Sequence, residues 1–290
     1  MFSYLLVAGI TNGALYGLVA IGIVIVYKST RAVNFAHGEL FMFGGFTAYT
    51  LHVMWGLPYV PSLLGAVLVC FVLGIIVDRV AFRPLMERSL VSVLVATIGL
   101  SFILKGFARF YWGGRGDYLA FPPLLDVPPI FFGDVMIEPQ RLVVLAGAIL
   151  IMLLFAVFFS ATRIGKMMQA TADNVKAAKL VGIRTGHVYM YTFAISAAVA
   201  AAAAALMAPI TLLYPDIGFI LFIKAFAAAV LGGLTSIVGA IVGGILIGLI
   251  EIFVGGYVST NLQDISAFFV IMLVLVFMPN GLFGRAVRRV

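Results

Sequence analysis

A chain of 290 residues that is 64% hydrophobic and 10% charged cannot clothe a water-facing surface, for which about a quarter of residues are charged. The solvent it suits is a bilayer, which excludes an ordinary soluble enzyme or a nucleic-acid binder. Its net charge of +7 is therefore read by position, because membrane proteins keep Lys and Arg on the cytoplasmic side.

In chain order, uncharged apolar runs occupy residues 3–27, 40–59, 60–77, 89–104, 142–162, 188–215, 225–250 and 265–284. A helix needs about 20 apolar residues to cross, and helices satisfy their own backbone inside lipid. Runs of this length lack the alternation of a barrel. The first has no basic stretch ahead of it and reads as a span rather than a removable signal. The second and third abut across a tight turn, WGLPYVP. Residues 217–250 are too many for one span and break at GGLTS (232–236). That gives a short helix at about 219–231, crossing or re-entrant, and a span at about 237–253. The expected fold is an all-α polytopic membrane protein with about eight full transmembrane helices plus one short or re-entrant helix. No domain boundary appears, so 1–290 reads as a single transmembrane domain.

Charge sets the orientation. Lys28 and Arg31, then Arg79, Arg83 and Arg88, then Arg163, Lys166, Lys176, Lys179 and Arg184, and finally Arg285, Arg288 and Arg289 fall on one side. Asp117, Asp126, Asp134, Glu138, Asp216 and Asp264 fall on the other, with Arg115 and Arg141. The alternation holds with the N-terminus outside and the C-terminus cytoplasmic, provided that the short element crosses. Residues 113–140 are then an external loop rich in Pro and Gly, and 163–187 a cytoplasmic one.

The chain has no GxxxxGK[ST] phosphate loop, no HExxH and no carboxylate pair, and His37, His52 and His187 are scattered. The lone Cys70 offers no metal-ligand spacing. No enzyme activity, cofactor or metal of its own is expected. The polar stretch ATADNVKAAKLVGI (170–183) has helix formers and ends at Gly182, which suits a helix terminus. On a 3.6 period Thr171, Asn174, Val175, Ala178 and Val181 share one face, with Lys176 and Lys179 on another. Such a helix either inserts into a groove on a soluble partner or lies at the lipid surface, and its composition leaves both open.

Polar groups inside the bilayer need a partner or a purpose. Asn12 and Tyr16 lie in the first run among glycines. Asn12 either lines a pathway or bonds across a helix interface. In VNFAHGEL, Asn34 can cap the second helix, with His37 and Glu39 in its first turns. Those two are either parts of that helix start or neighbours of a cytoplasmic gate. Thr97 and Ser101 form a polar stripe that faces a pathway or bonds back to its own helix. Lys224 and Glu251 fall in the outer half of antiparallel neighbours. They either pair, or Lys224 reaches the interface or attracts a substrate carboxylate. Gly13/Gly17, Gly239/Gly243 and Gly244/Gly248 are GxxxG pairs suited to close helix packing.

Several stretches resemble the permease subunits of branched-chain amino acid ABC importers. TNGALYGLVAIGIVIVYKSTRAVNFAHGELFMFGG (11–45) is similar to that family's first two helices, and VATIGLSFIL (95–104) to its mid-chain helix. IGKMMQATADNVKAAKLVGI (164–183) matches its cytoplasmic loop. KAFAAAVLGGLTSIVGAIVGGILIGLIE (224–251) and MPNGLFG (278–284) match its C-terminal part. NFAHGE resembles the first of the two paired permeases. The resemblance implies that 170–180 is a coupling helix, with Ala170, Asp173, Asn174, Ala177, Ala178, Leu180 and Gly182 as its ATPase-coupling residues. It also implies a second paralogous permease, two ABC ATPase subunits carrying ATP and Mg, a substrate-binding protein outside, and a bacterial inner-membrane location. The expected cargo is a branched-chain or other small amino acid, with urea, amides and aromatic acids as alternatives. A passive channel is the rival reading.

Overall fold

The computed structural model describes residues 2–86, 88–113, 118–124, 127–132 and 135–284. Arg115, Asp117, Asp126, Asp134, Arg285, Arg288 and Arg289, which figured in the charge reading, lie outside the described residues, as does Glu87. The helices bury themselves unequally. α1 (Phe2–Thr30) has 89% of its apolar window buried, and the segment holding α8 (Thr185–Met207) has 72%. α4 (Leu90–Trp112) and α5 (Pro139–Ala161) bury only 17% and 22%. α1 and α8 are therefore the axis of the bundle. The outward faces of the others, with Phe102, Phe110 and Leu153, are apolar surfaces for lipid or neighbouring subunits.

Small residues decide who packs on the axis. α1 runs against α10 (Ile237–Tyr257) with Gly9, Gly13 and Gly17 facing Gly248, Gly244 and Ile241, so the two helices are antiparallel. A Cβ on Gly13 would sit 2.7 Å from Ile245 Cα, closer than real side chains approach. The alanine run of α8 receives α2 (His37–Tyr49) at Gly44 and α3 (Tyr59–Val77) at Gly74 in the same manner. The GxxxG pairs read from sequence are thus the helix contacts themselves.

After α1 the chain doubles back. Residues 31–36 are not helical, and Ala32, Asn34 and Ala36 are buried. α2 then opens beside Val19, roughly three turns before the end of α1, so it begins deep inside the bundle. The expected second span is therefore a broken crossing. Its helix has 13 residues, followed by five, Thr50–Met54, wound wider, with Trp55 N–H reaching Thr50 O at 3.0 Å. Asn34 does not cap α2. Its Oδ1 accepts from Ala36 N–H at 3.0 Å, a local turn, and Ala36 occupies the cap position. α3 also widens at its end, over Asp78–Phe82.

Thr30, Arg83, Arg88, Lys179 and Thr185 line one cavity, so the ends of α1 and α3 and the starts of α4 and α8 meet at a single basic end. At the opposite end β1 (Leu119–Ala120) pairs antiparallel with β4 (Leu212–Leu213), and Tyr59 Oη donates to Ala205 O at 2.9 Å. The otherwise helical fold adds there a second antiparallel pair, β2 (Ile130–Phe132) with β3 (Val135–Ile137). α9 (Ile217–Gly232) leaves from this end and turns at Gly233 into α10, which returns to finish near Phe2 and Leu5.

Among the described residues six helices are long and apolar enough to cross, while α9 and α12 (Ser266–Phe277), which follows the one-turn α11 (Thr260–Gln263), are shorter. The last expected span, 265–284, is helical for only 12 residues. Pro279 cannot continue the ladder, and Gly281 turns the chain with φ +69°. Leu282 N–H then donates to Leu231 O at 2.8 Å and Phe283 N–H to Gly232 O at 3.0 Å. MPNGLFG thus caps the orphan carbonyls at the end of α9.

Candidate functional site

Two charged clusters flank α9 on the strand-bearing side of the bundle. In the first, Glu39 of α2 is buried, and its Oε1 accepts from Ser101 Oγ of α4 at 3.0 Å. Lys105, one turn further along α4, stands 3.6 Å from Glu39 Oε1 and 3.5 Å from Asp216 Oδ1. It is shared between two carboxylates and tight on neither. Arg109 donates to Asp216 Oδ2 at 2.7 Å. Partial burial pushes the Asp216 carboxyl up, but hydrogen bonds and charge from Arg109 and Lys105 outweigh it and hold it below its ordinary value. Glu39 Oε2 has no hydrogen-bond partner among the described residues. Thr97 serves the same seam. It bonds back to Leu94 O at 2.9 Å and accepts Phe35 N–H at 3.3 Å, steadying the non-helical stretch before α2.

The second cluster centres on Lys224 of α9, whose Nζ donates to Glu251 Oε1 of α10 and to Asp264 Oδ1, both at 2.8 Å. Gln263 Nε2 donates to the same Glu251 oxygen at 3.2 Å, and Lys224 Nζ lies 6.0 Å from the Tyr16 ring centroid. Lys224 is therefore paired twice, and the reading in which it stays unpaired to attract a carboxylate is set aside. Between the clusters α9 carries an aromatic stripe. Phe222 packs on Phe35 at 5.5 Å and on Phe226 at 5.8 Å, and Lys105 Nζ lies 5.0 Å from the Phe219 ring.

The remaining candidates separate from these. His37 is fully buried, with Nε2 3.2 Å from Val19 O and Nδ1 3.2 Å from Ser196 Oγ, which itself donates to Gly22 O at 3.0 Å. The carbonyl can only accept, so Nε2 carries a proton. His37 thereby pins α2 to α1 and α8. Asn12 is half-buried and forms no side-chain hydrogen bond with the described residues. Sequence reasoning missed Lys105, Arg109, Asp216, Gln263 and Ser196 as site partners. Ending the fourth run at Leu104 left Lys105 and Arg109 outside a helix. Their i, i+4 spacing was the available signal.

At the basic end, residues 163–180 form an arm. The expected continuous helix over 170–180 is two helices, α6 (Arg163–Asp173) and α7 (Val175–Leu180). Asn174 breaks them with an extended backbone, φ −155° and ψ 106°, and its Oδ1 caps α7 by accepting Ala177 N–H at 3.0 Å. The single face expected from the 3.6 period is broken with it. Thr171 and Ala178 are buried, while Asn174 and Val181 point outward. Gly182 ends α7 as expected, at φ +83°, with Ile183 N–H on Ala178 O at 3.0 Å and Gly182 N–H on Lys179 O at 3.1 Å. Ala170 is half-buried and Asp173 and Ala177 are exposed. Leu180 is 87% exposed and Val181 76%, two large apolar side chains at the tip of a short, capped helix.

The chain is 36% identical to the high-affinity branched-chain amino acid transport system permease protein BraD of Pseudomonas aeruginosa, over 97% of this chain and 95% of that protein. It is 34% identical to the corresponding LivH proteins of Escherichia coli and Salmonella typhimurium, each over 96% of this chain and 94% of the relative. A chain of PsaBC from Streptococcus pneumoniae, solved in complex with Fab, superposes with TM-score 0.52 at 15% identity, covering 96% of this chain and 92% of that one, a likeness of fold. With the model of the branched-chain amino acid transport system / permease component family matching residues 5–278, this multi-helix membrane protein belongs to that family.

Proposed function

We propose that the protein is the permease subunit of an ABC importer for branched-chain or other small amino acids in a bacterial inner membrane. It works with a paralogous permease, two ATPase subunits that bind ATP and Mg, and a binding protein outside. The observation that carries the coupling is the α6–α7 arm. A short, capped helix that leaves Leu180 and Val181 exposed at the basic end gains stability when a partner covers them. A passive facilitator has no use for such an arm. Ala170, Asp173, Asn174, Ala177, Ala178, Leu180 and Gly182 form or border it and are its coupling residues.

The substrate pathway runs along α9. An amino acid with a branched apolar side chain needs apolar surface and opposed charges. The Phe219–Phe222–Phe226 stripe supplies the first. Glu39 and Lys105, backed by Ser101, supply the second. Lys224, Glu251 and Tyr16 hold α9 to α10 and α1, and His37 and Thr97 fix the start of α2, so these five position the pathway rather than contact the cargo. Asn12, half-buried with no side-chain hydrogen bond to the described residues, is the remaining polar candidate on α1. Sealed vesicles bearing the permease pair, the ATPases and the binding protein test the reading. Labelled leucine accumulates when ATP is supplied on the ATPase side and does not accumulate without it. Equal equilibration with and without ATP would establish the passive channel instead.

A further inference from the structure

The basic end contains a cavity of about 780 Å³, between α7 and the ends of α1, α3, α4 and α8. Arg83, Arg88 and Lys179 line it, and among the described residues no Asp or Glu does. Arg83 is partly neutralised, by Asp78 Oδ2 at 3.0 Å and Gly186 O at 2.9 Å, which fixes its guanidinium at the wall. Arg88 and Lys179 have no ion-pair partner among the described residues. Tyr189 adds a half-buried hydroxyl. Phe82, Met86 and Val93 supply an apolar wall, and the same two segments expose Val80 and Val91 outward. Cations converging on a space far larger than one phosphate, next to outward apolar surface, match a lipid headgroup better than a small soluble anion.

We propose that this cavity seats the phosphate-bearing head of an acidic phospholipid from the leaflet at that end, held by Arg83, Arg88 and Lys179. Because Lys179 and Val175 belong to α7, an occupied cavity braces the arm against α3 and α8. The proposal rests on the reading above only in taking this end as the cytoplasmic one. Its test uses binding to the purified permease, so it stands or falls without transport.

The readout is the thermal stabilisation of detergent-purified permease titrated with phosphatidylglycerol, with phosphatidylcholine and inorganic phosphate as separate arms. Phosphatidylglycerol stabilises the wild type, and the Arg88→Gln/Lys179→Gln variant binds it about 30-fold more weakly. The Arg79→Gln/Lys176→Gln variant removes equal charge from exposed positions at the same end, outside the cavity, and keeps wild-type affinity. Equal weakening in both variants would mean diffuse surface attraction and overturn the site. Stabilisation by inorganic phosphate to the same extent would make it a free-anion site and overturn the lipid. Loss of phosphatidylglycerol binding on adding the ATPase subunits would make the cavity a subunit pocket and overturn it as well.

Discussion

Replacing Lys224 by methionine lowers the stability of the bundle by about 3–5 kcal/mol, the cost of leaving a buried ion pair with one charge. Glu251 is almost wholly buried, and Lys224 is the cation bonded to it. Asp264, at 72% exposure, is solvated and loses little. The stranded charge is therefore Glu251, and the double variant Lys224→Met/Glu251→Gln recovers most of the loss because no buried charge remains. Cys70 is fully buried and provides the assay, since a thiol-reactive dye reaches it only as the protein opens on heating. A single variant that melts with the wild type, or a double variant as weak as the single, would contradict this account of how α9 is held.

Leu180→Asp combined with Val181→Asp weakens association with the ATPase subunits by about 100-fold or more and leaves the permease fold intact. Covering a large aliphatic side chain contributes about 1.5–3 kcal/mol, and each 1.4 kcal/mol is tenfold in affinity. Both side chains are exposed in the isolated chain, so the exchange removes no internal packing. Co-purification with the ATPases falls, while melting of the permease alone is unchanged. Retained co-purification would show that the arm is not the point of attachment.

Apolar runs made the bundle legible from the sequence, because lipid leaves a helix few alternatives and GxxxG spacing marks where backbones meet. Local polar competition was harder to read. Asn34 and Asn174 both bond to nearby backbone amides. One makes a turn before α2 and the other breaks the arm in two, and a hydrophobic period does not register either. The short α12 escaped for a related reason. Met278–Gly284 looks apolar, yet Pro279 and Gly281 turn it into the cap of α9. At the site, the position of Lys224 and Glu251 in the outer half of antiparallel neighbours made their pairing one of the open readings. Lys105 and Asp216 did not, since their meeting depends on how α4 and α9 lie in space.

The most direct measurement places a single cysteine at position 180 in the assembled, transporting complex, the native Cys70 being buried and unreactive. A short bifunctional reagent is expected to join Leu180→Cys to an ATPase subunit and to arrest nucleotide-driven uptake, while Tyr257→Cys at the far end of α10 joins to none. A complex that carries leucine at full rate while position 180 reacts with no neighbouring subunit would contradict the account.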